Sequence, residues 1–471
     1  MAELRTGREN EETAAAAQLK RSGAARRADM LFLGLAAIVA LAPLPLGSDR
    51  PLAWEAMGLI TALLLIASVT AFAESSAPLI GDLTVPAVLF GLAIGFAGLQ
   101  ITPLTPAAWH NPLWDQAAET LLQRGPAAIA VDRQAALSHL LRLLTYAAIL
   151  YLSVVLCRDP LRARAATKLV MLSGTFYAAY GLAVYWSGSK SILWYAKWAY
   201  VDDVTGPFVN RNSFATYLGL CLLATIAYLT LSLKDVALWG SWRRRLESAV
   251  ETMSTRSWQV VCLFLIFTAL CLTHSRGGFL STLAGVIAIA FALSRARGLR
   301  ASGRRAFAAL PVVLIVLAFF VSGGVLVDRL ADTSSETAGR FDVFMLTVQA
   351  IGDYPLQGIG LGSFQSVFPL YRTDAIQAFY DLAHDDYLQN ALELGIPAAI
   401  CFYAALLWLV GLSLRGIMQR RRDAAYPCLG AAASLLVGLH ATVDFSLQIP
   451  AVTATYLFIL GAGIAQSRST R

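Results

Sequence analysis

Asn212-Ser-Phe-Ala-Thr-Tyr-Leu-Gly-Leu-Cys-Leu-Leu-Ala-Thr-Ile-Ala-Tyr-Leu-Thr-Leu-Ser232 carries no charged side chain. An apolar run of about 20 residues is what a helix needs to cross the hydrocarbon core of a bilayer. There the backbone must satisfy its own hydrogen bonds, so the run reads as a transmembrane helix. Working outward, comparable runs lie near 30–47, 52–73, 79–100, 139–157, 168–186, 257–273, 277–294, 306–327, 396–414, 424–442 and 449–465. The sequence therefore predicts an all-α integral membrane protein with about twelve transmembrane helices. Several runs contain Pro or Gly, which packed neighbours in a membrane tolerate. Composition agrees, with 57% hydrophobic residues, 14% charged residues and a mean hydropathy of +0.61. A soluble chain of 471 residues needs far more charge to cover its surface.

The net charge of +7 does not point to nucleic acid, because the basic residues sit between the apolar runs. They read as topology signals. With a cytoplasmic N-terminus, the inner segments hold the basic residues of the tail, then Arg158, Arg162, Arg164 and Lys168. Next come Lys234, Arg243, Arg244, Arg245 and Arg256, then Arg295, Arg297, Arg300, Arg304 and Arg305. Arg415, Arg420, Arg421 and Arg422 follow, with Arg468 and Arg471 at the end. The opposite orientation breaks the positive-inside rule. An even number of spans returns the C-terminus to the cytoplasm, so the expected location is a bacterial inner membrane.

Residues 1–29 are polar and read as a cytoplasmic tail, because no small-residue cleavage pattern separates the first two apolar runs. Residues 30–471 read as one polytopic membrane domain. Its periplasmic loops are 101–138, rich in proline, 187–211, with Trp194, Tyr195, Trp198 and Tyr200, and 328–395. A loop as long as the last is usually functional. It is expected to contain short helices. Cys157, Cys221, Cys262, Cys271, Cys401 and Cys428 lie in or beside apolar segments without a CxxC or Cys/His spacing. They read as small buried apolar residues.

Among the few basic residues on the opposite side, three arginines stand in compact polar clusters. Arg211 lies in Gly206-Pro-Phe-Val-Asn-Arg-Asn212, Arg276 in Thr273-His-Ser-Arg-Gly-Gly278 and Arg340 in Ala338-Gly-Arg-Phe-Asp342. An arginine at a membrane boundary is costly unless paired or facing water. Its fork suits phosphate, and Arg211 and Arg276 sit at predicted helix starts, where backbone N–H groups add donors. Snorkelling, or a salt bridge to a loop acid, explains any single arginine equally well. Three on one face favour an anion site.

His384-Asp-Asp-Tyr-Leu-Gln-Asn-Ala-Leu-Glu-Leu-Gly-Ile-Pro397 predicts a short helix capped by Asp386, with Gln389 completing a capping box. The helix dipole disfavours an imidazolium at His384, as suits a general base, and Asp385 or Glu393 can orient the ring. A capping or surface histidine is the plainer alternative. Asp381, His384, Asp385 and Asp386 lack a second histidine or a known metal spacing, so no metal is expected. His440 and Asp444, four apart, are expected on one face of a span. They form either a proton relay or a satisfied polar pair. Gly358-Ile-Gly-Leu-Gly362 fits no nucleotide-binding pattern. It reads as a turn before an amphipathic helix whose Phe364, Phe368 and Tyr371 lie at the bilayer interface or stack on sugar rings.

In this order, Gly206-Pro-Phe-Val-Asn-Arg-Asn-Ser-Phe-Ala215, Ser275-Arg-Gly-Gly278, Gly339-Arg340 with Tyr354-Pro-Leu-Gln-Gly-Ile-Gly-Leu-Gly-Ser-Phe364, and His384-Asp-Asp-Tyr-Leu-Gln-Asn-Ala-Leu-Glu-Leu-Gly395 form an ordered set. The set resembles the O-antigen ligase and O-antigen polymerase superfamily of bacterial envelope glycosyltransferases. It spans about residues 206–397, and the order of the short motifs carries the resemblance. The resemblance implies transfer of a glycan from undecaprenyl pyrophosphate to an acceptor hydroxyl on the periplasmic face. The acceptor is lipid A-core in ligases and another lipid-linked saccharide in polymerases. No metal, nucleotide or other cofactor is implied. The family's essential histidine maps to His384 and its essential arginines to Arg276 and Arg340. Arg211, Asn210, Asn212, Ser275, Asp385 and Glu393 are candidate substrate-binding residues. Asp385 and Asp386 stand where the family often has small or amide residues, and the tail and the 101–138 loop are longer than in the shortest ligases. Ligase and polymerase therefore both stay open. So do a lipid-linked glycan flippase, which predicts inverted repeats and mid-membrane ionisable groups, and a non-catalytic assembly scaffold.

Overall fold

The computed structural model describes residues 23–72, 77–123, 125–232, 242–295, 301–322, 336–373, 376, 379–420 and 423–468. Most of the expected tail (1–22) lies outside the described residues, as do 328–335 of the long loop and the topology markers Lys234, Arg297, Arg300, Arg421, Arg422 and Arg471.

Helices occupy every stretch predicted to span. In chain order they are α1 (residues 23–41), α2 (Pro51–Phe72), α3 (Ala77–Ile101), the short α4 (Leu113–Leu121), α5 (Arg133–Leu156), α6 (Pro160–Trp186) and α7 (Arg211–Ser232). Then come α8 (Trp242–Leu272), α9 (Arg276–Arg295), α10 (Ala301–Ser322), α11 (Glu336–Asp353), α12 (Phe364–Val367), α13 (Asp386–Leu394), α14 (Ile396–Gln419), α15 (Ala425–His440) and α16 (Pro450–Ala465). By length and composition, seven helices among the described residues can cross a membrane, namely α2, α3, α5, α6, α7, α9 and α14. α15 and α16 are shorter apolar helices, and α8 and α10 contain the apolar stretches 257–272 and 309–318.

The shortness of α15 and α16 has a local cause. The chain leaves α-helical geometry at Ala441–Ile449, passing through a 3-10 turn at Ser446–Gln448, and Asp444, Ser446 and Gln448 are all inside the protein while Thr442 and Val443 are exposed. Non-helical backbone in a membrane protein persists only where protein covers it or a cavity adjoins it. Other elements extend further than predicted. α8 begins at Trp242 and α6 at Pro160, so several basic residues expected in loops lie on helices.

α7 is buried along nearly its whole length and packs against α6, α8, α9, α15 and α16. A helix apolar on all sides belongs at the centre of a bundle. Lipid tails are as apolar as leucine, so close contact rather than hydrophobic exclusion holds such helices together. Small residues permit that contact. A Cβ on Gly174 of α6 would come 2.3 Å from the Cβ of Cys221 on α7, and one on Gly461 of α16 would come 2.5 Å from that of Ser153 on α5. Outward faces stay apolar, as with Leu59, Leu63 and Ile66 on α2. All six cysteines are free, and all but Cys401 are buried.

The connections carry structure of their own. The 187–210 segment holds a small antiparallel hairpin, β1 (Ser191–Ile192) and β2 (Tyr195–Ala196), a departure from the all-α expectation. Trp194 and Trp198 are exposed around it. Gly358, Gly360 and Gly362 all adopt positive φ. This lets the run lie against the end of α13, where the N–H groups of Ile359 and Gly360 donate to the carbonyls of Leu392 and Glu393. Carbonyls at a helix end need such partners. Phe364 and Phe368 do not face bilayer or solvent. They stack at 4.9 Å in a buried cluster with Val343, Ile359 and Leu392.

Gly174→Val should destabilise the fold by about 1–3 kcal/mol, since the α6–α7 contact has no room for it. Gly91→Val, where a Cβ meets nothing, should be neutral. Melting curves in detergent test this, and equal melting temperatures for the two variants would refute the packing argument.

Candidate active site

The α8–α9 turn is Thr273-His274-Ser275. His274 has φ +50 and Ser275 caps α9, its Oγ accepting from the N–H of Gly278 at 3.2 Å. The same Oγ donates to Oδ1 of Asn212, at 2.8 Å, on the first turn of α7. Asn212 then donates from Nδ2 to Oδ1 of Asp444 at 3.2 Å. Asn210 orders this helix start, its Oδ1 accepting from the N–H of Asn212 at 2.7 Å.

Asp444 is fully buried in the turn after α15. Ser446 Oγ donates to its Oδ2 at 2.8 Å and also lies 3.1 Å from Nδ1 of His440. Thr216 Oγ1 is 2.6 Å from that same nitrogen. His440 and Asp444 therefore do not share a helical face. His440 ends α15, Asp444 lies past it, and Ser446 bridges them.

His384 reaches the turn from the other side. Its Nδ1 lies 3.5 Å from Oδ1 of Asp444, within ion-pair reach but without a hydrogen bond. Phe445 and Tyr380 pack edge-on against the ring, with centroids 4.7 and 5.7 Å away. His384 has φ +57, a left-handed conformation uncommon for a residue with a Cβ. Such strain collects at functional sites. The helix cap is Asp385, not Asp386 as the sequence suggested, and its side chain accepts from the N–H of Leu388. Gln389 reaches back instead to the N–H of Ala383. Asp386 turns inward, accepting from the N–H of Leu447 and from Nε2 of Gln448, while its own N–H donates to the carbonyl of Ala441. That bond docks α13 on the end of α15.

Arg340 donates to the carbonyl of Val443 at 2.8 Å. Arg276 is the first residue of α9, and its neighbour Gly277 lies so near His440 and Val443 that a Cβ would sit 3.1 Å from both side chains. The structure thus gathers His384, Arg340, Asn212 and Ser275 on one turn, with Arg276 beside it. Arg211 belongs to an adjoining cluster, bonded at 2.6 Å to Asp203, with Tyr200 stacked 4.9 Å beneath its guanidinium. Asp203 also holds Nδ1 of His274 at 2.7 Å. Glu393, at the far end of α13, accepts from the N–H groups of Gly362 and Phe364. It lines a separate cavity of about 320 Å3 that His384, Arg276 and Arg340 do not line.

The acids of the site are driven apart. Burial raises the pKa of Asp444, but the facing His384 and the nearby His440 and Arg340 outweigh it and hold the carboxyl down at about 2. Burial pushes Asp386 well above the usual range, against the donors Leu447 and Gln448. Burial also opposes the charge on Asp203, yet His274 and Arg211 keep it below its ordinary value. Environments that push the pKa values of neighbouring carboxyls in opposite directions are how such acids acquire different tasks. Asp203, Thr216 and Ser446 left no local signal in the sequence. Asp444 did, through its spacing from His440.

Residues 261–403 match the family model described as O-antigen ligase. That stretch holds Ser275, Arg276, Arg340, His384, Asp385 and Glu393. No curated protein matches the chain.

Because its native pKa is lowered, ionised Asp444 stabilises the fold above the ordinary carboxylate range, and that contribution is lost as pH falls from about 4 towards about 2. Asp444→Asn should therefore melt below wild type near pH 6, by about 2 kcal/mol, with the gap reduced to about half at pH 3 and closing only towards pH 2. A gap that stays constant down to pH 3 would contradict the assignment.

Proposed function

Residues 261–403 belong to the O-antigen ligase family, and from that premise we propose that this protein transfers a glycan from undecaprenyl pyrophosphate to an acceptor hydroxyl at the His384–Asp444 turn. The chain crosses the inner membrane about twelve times, keeps both termini in the cytoplasm and opens this site to the periplasm. The acceptor is lipid A-core or another saccharide.

The supporting observation is the meeting of His384 with a buried, ionised Asp444 on the same turn that binds Arg340. The acceptor oxygen attacks the anomeric carbon in a single inverting displacement while His384 takes its proton. The bond from that carbon to the pyrophosphate breaks, and undecaprenyl pyrophosphate leaves. Arg276 and Arg340 offset the charge that grows on it. Asp444 orients the ring and stabilises the imidazolium, the task the sequence had offered to Asp385 or Glu393. The leaving group is already activated, so the step needs no metal in principle. Asn212 and Ser275 hold the turn to the starts of α7 and α9 and position it against the substrate.

Purified protein in nanodiscs should transfer glycan from a synthetic undecaprenyl-pyrophosphate donor in the presence of EDTA. His384→Ala should cut the rate by about 10²–10⁴-fold. Offering lipid A-core and a second lipid-linked repeat separately distinguishes a ligase from a polymerase. Full transfer by the variant would end the general-base assignment.

A further inference from the structure

The cavity of about 320 Å3 lies among α3, α5, α14 and α16. It adjoins the candidate active site without being part of it. Ser446 bonds to Asp444, whereas Gln448, two residues on, lines the cavity. Leu83, Leu150, Leu409 and Leu457 make its deeper walls apolar. Its polar lining includes Arg142 of α5, Asn390 and Glu393 of α13, and Gln448 of the 441–449 turn.

Arg142 sits about 14 Å along α5 from its first residue and is only 5% exposed. Two of its nitrogens donate to Gln448, one to the carbonyl at 3.0 Å and one to Oε1 at 2.8 Å. Trp54 stacks 5.3 Å from the guanidinium. No carboxylate pairs with it among the described residues, and its buried Nε has no hydrogen-bond partner. The buried hydroxyl of Tyr146, one turn further, also lacks a partner and lines the same cavity.

Asp49 and Glu393 act on this cation only at longer range, without an ion-pair contact, and a buried cation with no anion in contact is costly in a membrane helix, where an ionisable group usually serves a ligand. The guanidinium fork matches a phosphate. Glu393 makes no ion pair with it. Burial pushes that carboxyl up to about 7, and backbone N–H groups and Gln389 occupy its oxygens. Polar at one end and apolar at the other, the cavity suits an amphiphile aligned with the helices.

We propose that this cavity binds one acyl chain of an anionic bilayer phospholipid, with the lipid phosphate against Arg142. The volume takes part of one acyl chain, and His384, Arg276 and Arg340 do not line it, so the site is distinct from the one proposed to hold the donor's pyrophosphate. The bound lipid wedges α3 against α5 and α14 and brings an anion into contact with Arg142.

Native mass spectrometry of purified protein offered phosphatidylglycerol or phosphatidylcholine tests this. Wild type should retain phosphatidylglycerol preferentially, at about one per chain. Arg142→Gln should bind it about tenfold more weakly. Ala147→Phe, which keeps the arginine but fills the cavity, should lose retention as well. Phosphatidylglycerol with a photoreactive acyl terminus should label α5, α14 or α16 within the cavity of the wild-type protein, a readout that needs no variant to fold. Equal retention of the two lipids, binding unchanged in Arg142→Gln, or labelling confined to outer helix faces would overturn the proposal. So would displacement of the label by undecaprenyl phosphate but not by phosphatidylglycerol.

Discussion

A carboxylate held ionised in the interior organises this protein. Asp444 has no contact with solvent, and an isolated buried charge is among the most expensive features a fold can contain. Its partners offset that cost only if they arrive together. Ser446 comes from the same turn, Asn212 from the start of α7 and His384 from the approach to α13. Ser275 extends the network to the cap of α9. Elements more than 200 residues apart in sequence are thereby locked to one point.

The neighbouring acid shows the opposite solution. Asp386 has neutral donors and no cation in contact, so burial favours its protonated form. Two carboxylates so close could not both stay charged at low cost, and the histidine side takes the charge. The turn around them is irregular because helical geometry cannot aim Asp444, Ser446 and Gln448 in the required directions. α15 and α16 are short in consequence, and the surrounding helices must cover the turn.

The same turn faces two ways. Through Ser446 it belongs to the histidine site, and through Gln448 it holds Arg142 beside an apolar cavity. Asp386 ties the two by accepting from Gln448. A displacement of α5 or α16 at the cavity is therefore transmitted through Gln448 to the segment that holds α13, the helix that positions His384.

Hydropathy by itself determined the class of protein, since a run such as 212–232 cannot remain in water and must bond its own backbone. Helix starts at Arg211 and Arg276 were legible too, because caps and composition are local. So was the ordered set of motifs, which the matched family supports over 261–403. Only the tertiary structure decided which acid faces His384. Asp385 and Glu393 were nearest in sequence, yet one caps the helix and the other holds the Gly362 backbone, while Asp444 comes from 60 residues away. It also decided that Arg211 is committed to Asp203 and that Arg142, inconspicuous within an apolar helix, is buried beside a cavity. Periodicity and capping report what each segment does with its own neighbours. Which buried charges meet depends on how the helices pack, and no local pattern encodes that.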